Sequence, residues 1–331
     1  MRDRSTFETR MQTRDSKTQR GYKVALDAFD VWLDGRTITP ENAEDTLQEY
    51  VNHMNQTLAP SSTRLYYSRI RKYLKHLKIP IDEIELPSRI EKELYPLKLP
   101  DMHRIFQTLR FDDQTLFACQ ASSGMRIGET VQLKKKDFVM CEDRMIIKIQ
   151  PRIAKFKKAR TTVLTKEMEA RIRQILKRID DDDLVFGTCP NVESAEINKE
   201  NLLRSALKRV GLDMRYEDTG RYKINTHSFR AFFITQVSRH DPNIAKKMAG
   251  EKGYLLQYDR LTDEDYVENA KKFEADLTIF NLAKRDELAN KKTMDLQEQI
   301  NAQQKMIEEQ ALNMERMNAY IERMKIINDQ K

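Results

Sequence analysis

Four short stretches of this 331-residue chain carry side chains whose types and spacing suit an anion. "INTHSFRAFF", residues 224–233, places His227 one helical turn before Arg230, beside Phe229, Phe232 and Phe233. A cation in so apolar a setting is costly unless something pairs with it. Either each finds a partner within the protein, or both face a cleft that expects a negative charge. "GMRIGE" puts Arg126 just after Gly124, where a glycine lets backbone approach a ligand closely. The plainer reading of Arg126 is an ion pair with Glu129, three residues on. "AKFKKAR" carries Lys155 at a basic turn, which suits a solvated tip as well as a probe into a groove. "GEKGYLLQYDRLTDEDY" holds Tyr254, Tyr258 and Tyr266, none of which means much alone.

The elements that must position these residues fall into two kinds. The first ~95 residues read as helices from their three- and four-residue apolar steps. "SKTQRGYKVALDAFDVWLDG" starts at Ser16 as N-cap and repeats Tyr22, Leu26, Phe29 and Leu33. "TPENAEDTLQEYVNHMNQ" uses Thr39 as cap and Pro40 in the first turn, with a stripe of Leu47, Tyr50, Val51 and Met54. "APSSTRLYYSRIRKYLKHLKI" is capped by Ser61 or Ser62. Its polar face holds Arg64, Arg69, Arg71, Lys72, Lys75 and Lys78, interleaved with Tyr66, Tyr67 and Tyr73. Such a face suits a DNA groove, with cations for phosphates and flat rings for sugars, or simply water. "IPIDEIELPSRIEKELYPLKLP", residues 79–100, contains four prolines and reads as a linker. From ~100 to ~285 the pattern is mixed. Helices are expected at 101–110 and 112–122, and strands at "RMIIKIQP" and "ARTTVLT" flanking the basic turn. "TKEMEARIRQILKRI" and "NKENLLRSALKRVGL" are helical again, with Thr and Asn caps. The tail repeats Ile300, Ile307, Met314 and Ile321 every seven residues, with Leu296, Gln303, Gln310, Met317 and Met324 on a second seam. That is an a/d heptad pattern broken by two glutamines, and it points to a self-associating coiled coil.

The fold class expected is therefore mainly α with a small antiparallel sheet. The expected organisation is a helical domain at 1–95 with a linker to ~100, a second domain at 100–285 and a heptad helix at 286–331. Composition narrows the function. Charged residues make up 34% against 39% hydrophobic, too apolar for a disordered chain, and the net charge of +7 permits a polyanionic partner. Cys119, Cys141 and Cys189 lack CxxC spacing, and none of the five histidines stands at ligand spacing from them, so no metal is expected. No apolar run approaches the roughly 20 residues of a membrane span. The polar start "MRDRSTFETRMQTRDSK" does not read as a secretory signal. A cytoplasmic protein follows as the expectation.

In order along the chain these motifs are Arg in G-x-R-x-G-E, Lys on a turn, H-x-x-R on a helix, and a following Tyr. In that order the sequence resembles the tyrosine recombinases, the integrase family, over residues ~16 to ~280. "YDRLTDEDYVENAKKFEADLTI" resembles archaeal and archaeal-virus members in particular, and "SKTQRGYKVALDAFDVWL…SSTRLYYSRIRKYLKHL" resembles the family's helical core-binding domain. The resemblance implies a tyrosine-recombinase catalytic domain behind that domain, together clamping DNA. Arg126 matches the first family arginine, and His227 and Arg230 match H-x-x-R. "AKFKKARTTVL" aligns on the hairpin pattern with Lys155 as its lysine and Lys157 and Lys158 as neighbours on backbone or solvent. Glu129 and Asp137 match acidic positions that brace Arg126 and the next turn. Tyr258 matches the nucleophile and Tyr266 is its runner-up, while Tyr254 stands close to the glycine turn. The sequence departs where many members have Gly-His, because Gly250 is followed by Glu251 and Lys252. Alignment favours Glu251 as the replacement. Chemistry favours Lys252, which can donate to phosphate as histidine would.

The implied reaction is cleavage and rejoining of double-stranded DNA through a 3′-phosphotyrosyl link, without cofactor or metal. The arginines would hold the phosphate, His227 would share the phenol's proton and Lys155 would protonate the departing 5′-oxygen. Implied too are a tetramer at synapsis, a nucleoid location, and the integration or excision of a mobile or viral element. A chromosome-dimer resolvase, a type IB topoisomerase and a DNA-binding protein with an impaired site are the alternatives.

Overall fold

The computed structural model describes residues 3–89, 93–187, 189–217, 219–251 and 260–329. Two compact units separate by their internal packing: Met1–Leu94 with Arg215–Arg221, and Tyr95–Met214 with Tyr222–Lys331.

The first unit holds helices α1 (Arg4–Met11), α2 (Ser16–Leu33), α3 (Ala43–Thr57) and α4 (Pro60–His76). Phe7, Leu26, Phe29, Leu47, Val51, Ile70 and Leu74 form its core, the residues marked by the three- and four-residue steps. The helix starts differ from those read in the sequence. Asp15, not Ser16, caps α2, because its carboxylate accepts from the Thr18 amide at 2.8 Å. Helix α3 begins after Asn42, and Thr39 lies in the turn before it, donating its amide to the Asn42 side chain at 2.8 Å. Helix α4 begins after Ala59 with Pro60 in its first turn, ahead of both serines, because the fixed φ of proline suits that position. The early part of the proline-rich stretch is tied down rather than free. Ile81 is buried, Ile84 and Leu86 pack on the core, and Gln48 exchanges two hydrogen bonds with the backbone of Glu85.

The second unit is built on α6 (Phe111–Ser123) and α10 (Thr226–Ser238), which pack directly on each other. Phe229 stacks on Phe117 at 5.2 Å and on Phe106 of α5 (Leu99–Phe106) at 6.0 Å. Burying each such ring contributes about 2 kcal/mol, so the phenylalanines of "FRAFF" fix the face that α10 turns to the core. Beside this pair lies an antiparallel sheet in the order β1 (Phe138–Cys141), β2 (Arg144–Ile149), β3 (Arg160–Val163). Its register pairs Phe138 with Ile147 and Ile149 with Arg160. Strand β1 is absent from the sequence expectation: it has only four residues, and its middle pair, Val139 and Met140, is exposed. The helices α7 (Ile127–Thr130), α8 (Lys166–Leu176), α9 (Val192–Arg209), α11 (Pro242–Ala249) and α12 (Asp263–Leu277) complete the unit. Helix α13 (Leu282–Asp329) runs for 48 residues. Mainly helical with a three-stranded antiparallel sheet, the chain has the expected fold class.

Candidate active site

Gly124 ends α6 with a φ of +69°, and a Cβ there would also collide with the ring of Phe233. Only glycine meets both conditions. Its carbonyl accepts from Arg230 Nη1, and the chain then turns Arg126 into the N-cap position of α7. Helix α11 ends in the same way at Gly250, φ +70°, and the Glu251 amide returns to the Lys246 carbonyl at 2.8 Å. These two glycine closures bring three chain segments together.

Arg230 is fully buried on α10. Its Nη1 donates to the carbonyls of Gly124 and, at 2.6 Å, Ala249, while its Nη2 donates to Glu251. Its Nε is buried without a hydrogen-bond partner among the described residues. Burial and the neighbouring charge of Arg126 lower its pKa from the ordinary arginine value, while Glu251 acts in the opposite direction. Arg126 reaches the same place from α7. Its Nη1 donates to Glu129 at 3.3 Å and to Ala249 O at 3.5 Å. Its Nη2 donates to Gly250 O at 3.5 Å and to Glu251 Oε1 at 3.2 Å. The two arginines read from distant motifs therefore converge.

The bracing of Arg126 by Glu129 holds, but Glu129 has a stronger partner. Arg160 on β3 grips its carboxylate with both Nη atoms, at 3.0 and 2.6 Å, and donates Nε to Met248 O at 2.9 Å. Burial pushes the Glu129 pKa up, but the Arg160 hydrogen bonds and charge outweigh it and hold the carboxyl below its ordinary value. Arg160 stands in the sequence pattern around Lys155, yet nothing in its spacing marks it as a brace across β3, α7 and α11. Asp137 is buried and accepts from the Lys134 amide at 2.9 Å, with Arg152 Nη2 at 3.5 Å, so it closes the turn after α7.

Lys155 lies on the connection between β2 and β3 and is exposed. The ring of Phe156 ties it to the site. Arg126 stands 5.7 Å from that ring centroid and Lys155 Nζ stands 5.9 Å from it. Lys157 donates to Arg152 O at 3.2 Å and holds a φ of +53°, while Lys158 is exposed. Nothing in the sequence pattern around Lys155 marks Phe156 for this place.

His227 sits in the first turn of α10, its amide bonded to the Asn225 side chain at 2.8 Å. Its surface is exposed, yet the surrounding protein, then the charges of Arg230 and Arg126, hold its pKa below 6.5. Lys155 acts on it in the same direction and Glu251 opposes. The imidazole is thus neutral at pH 7 and able to accept a proton.

Tyr258, Tyr254 and Lys252 lie outside the described residues. Tyr266 is on α12, half-buried against the core. Helix α12, whose first residue follows Tyr258 by five positions, is fixed to the sheet. Lys148 on β2 pairs with Asp263, and Arg144 donates to Glu274 at 2.7 Å. Among the described residues no group of three or more His, Cys, Asp or Glu side chains is placed to hold a metal ion.

Residues 93–250 match the phage integrase family. That stretch, a little under half of the chain, carries a phage integrase family domain. The matched integrase domain spans Arg126, Lys155, His227 and Arg230 and ends at Gly250. Solved structures with similar folds include a lambda integrase dimer bound to a COC′ core site, with a TM-score of 0.56 and 12% identity over 78% of this chain and 97% of that one. XerH site-specific recombinase bound to a palindromic difH substrate gives 0.55 and 16%, over 81% and 83%. A lambda integrase tetramer bound to a Holliday junction gives 0.57 and 13%, over 78% of each chain. These likenesses are of fold. No curated protein matches the chain.

The candidate DNA-binding face of the first unit is more committed than its sequence implied. Arg64 donates to Pro87 O at 2.7 Å and Arg71 to Ile81 O at 3.3 Å, so both hold the segment that follows α4. Arg69 and Lys72 lie over the Tyr22 ring at 6.0 and 5.2 Å, while Lys75 is exposed. Among the described residues no helix is long and apolar enough to cross a membrane.

Proposed function

We propose that this chain is a site-specific DNA recombinase that cleaves and rejoins double-stranded DNA through a 3′-phosphotyrosyl intermediate. The observation that carries the reading is the meeting of Arg126 and Arg230 at one place, with His227 and Lys155 close by. A phosphodiester repels nucleophiles through its own charge. Two guanidinium forks offset that charge and bind more tightly as it grows in the pentacovalent transition state. Neutral His227 takes or shares the phenol proton, and Lys155 donates to the 5′-oxygen as it leaves. Tyr258 is the proposed nucleophile, because the alternative Tyr266 is packed on the core. The ester bond is conserved in the phosphotyrosine, so a 5′-hydroxyl from another duplex reverses the step.

The partners proposed are DNA and further copies of this chain, up to a tetramer in the synaptic complex, in the cytoplasm at the nucleoid. Lys72, Lys75 and Arg69 of α4, and Lys157 and Lys158, contribute backbone contacts. The exposed apolar side chains Leu296, Ile300, Ile307, Met314 and Met317 of α13 support self-association. The work proposed is integration or excision of a mobile element, of archaeal type; resolution of chromosome dimers uses the same chemistry. A second reading, a DNA-binding protein with an impaired site, draws on Glu251 standing where many relatives have histidine.

A pool of duplexes with a randomised central segment and one nick tests the proposal. Cleavage next to the nick releases a short strand and traps the protein. A denaturant-resistant adduct whose linked peptide contains Tyr258 is the expected result, and sequencing the trapped DNA gives the site. DNA binding without any adduct would favour the impaired-site reading.

A further inference from the structure

Glu251 occupies the place where an anion would meet the arginine pair. Its Oε1 accepts from Nη2 of Arg126 at 3.2 Å and from Nη2 of Arg230. The remaining Nη donors are engaged elsewhere: Arg230 Nη1 on the carbonyls of Gly124 and Ala249, Arg126 Nη1 on Glu129 and Ala249. The two Nη2 groups therefore form the shared edge of the pair, and a carboxylate already bridges it. Arg230 is inaccessible to solvent while the Glu251 side chain is 41% exposed, so Glu251 covers the pair from the solvent side.

We propose that Glu251 is a built-in competitor for the phosphate seat: its carboxylate holds the donors that a DNA phosphate needs, and a phosphate binds only by displacing it. This rests on the reading that Arg126 and Arg230 receive the phosphate. Two anions cannot share these donors without strong repulsion at such short range. Glu251 does not vacate the seat by protonation near neutral pH. Burial raises its pKa, but the Arg230 hydrogen bond and the charges of Arg230 and Arg126 bring it below the ordinary carboxylate value. The backbone need not move, since the Glu251 amide is held by Lys246 O and Gly250 closes the helix; rotation of the side chain suffices. The consequence is selectivity for a polyanion. A free phosphate must displace the carboxylate by its own affinity, whereas a duplex presents its phosphate at high effective concentration once other contacts are made.

The test is calorimetric titration of the full chain with inorganic phosphate at fixed ionic strength. The variants are E251Q, E251A, R126A and the double variant E251Q/R126A. Removing the carboxylate charge is expected to tighten phosphate about tenfold in both E251Q and E251A, with the gain lost in E251Q/R126A. Equal or weaker binding in E251Q and E251A, with R126A weaker than the unaltered chain, would overturn the competitor role and leave the arginine site standing. Binding that ignores R126A in either background would instead refute the arginine seat itself, and the competitor with it.

Discussion

Arg126 and Arg230 donate to the same backbone oxygen, the carbonyl of Ala249, at 3.5 and 2.6 Å. A carbonyl held by two guanidinium groups fixes the spacing of the pair to the end of α11. The geometry of the forks should therefore matter beyond their charge. Arg126→Lys keeps the charge and loses the planar fork, and adduct formation on the nicked pool should fall by about a hundredfold or more. Single-turnover gel assays read this directly. A lysine variant as active as the parent would remove the arginine from the reaction.

The Glu129–Arg160 pair is a structural support, and its loss should register in stability. Both side chains are almost fully buried, at 2% and 8% exposure. Glu129→Gln leaves the Arg160 charge without its counterion in the interior, at a cost of about 3 kcal/mol. Denaturant unfolding should show the loss in the midpoint without a change in slope. Arg126, which shares Glu129, should lose activity in the same variant.

The pH dependence of adduct formation should carry an acid limb below 6.5, the ordinary imidazole value from which His227 is lowered. In the proposed reaction neutral His227 accepts the proton, so the rate should be at its plateau above its pKa and fall as the ring becomes charged. His227→Gln should be slow and lack this limb. The stability effect has the same sense. The unfolded imidazole binds protons more readily than the folded one, so the stability present above 6.5 is lost as pH falls through the lower folded pKa.

The two tyrosines should separate cleanly. Tyr258→Phe should abolish the covalent adduct while DNA binding, read by gel shift, persists. Tyr266→Phe should retain adduct, because its ring packs on the core from α12. Adduct from Tyr258→Phe and none from Tyr266→Phe would reverse the assignment.

Removing residues 286–331 should lower self-association. The helix they belong to exposes Ile307, Met314 and Met317 at 63% each, and a seam of that kind gains from burial against a second copy. Analytical ultracentrifugation with and without the segment reads the change, and an unaltered mass would locate association elsewhere in the chain.

Much of the site was legible because its residues are chemically unusual where they stand. An Arg and a His among phenylalanines, an Arg between glycines, and a Lys on a basic turn all stand out from their surroundings. Periodicity found α2, α3 and α4, since amphipathic steps are local, but it passed over α1 and α11 and began α9 at Asn198, where the helix starts at Val192 after the cap Asn191. It misplaced the helix starts, because a cap is decided by which side chain reaches the free amides, and Asp15 reached before Ser16. The short strand β1 escaped for the opposite reason: four residues with an exposed middle pair carry no pattern, and β2 supplies the pairing.

The sequence by itself determined the chemical inventory, namely two guanidinium groups, an imidazole and an amine on elements of known type, and the glycines that let two helices end sharply. Only the tertiary structure decided that Arg160, not Arg126, is the main partner of Glu129, that Phe156 joins Lys155 to Arg126, and that Glu251 bridges both arginines. Each of these contacts links segments far apart in the chain. Local pattern reports which face of an element is apolar. Which distant charge meets that element is set by how the packed core orients β3, α10 and α11 toward one another.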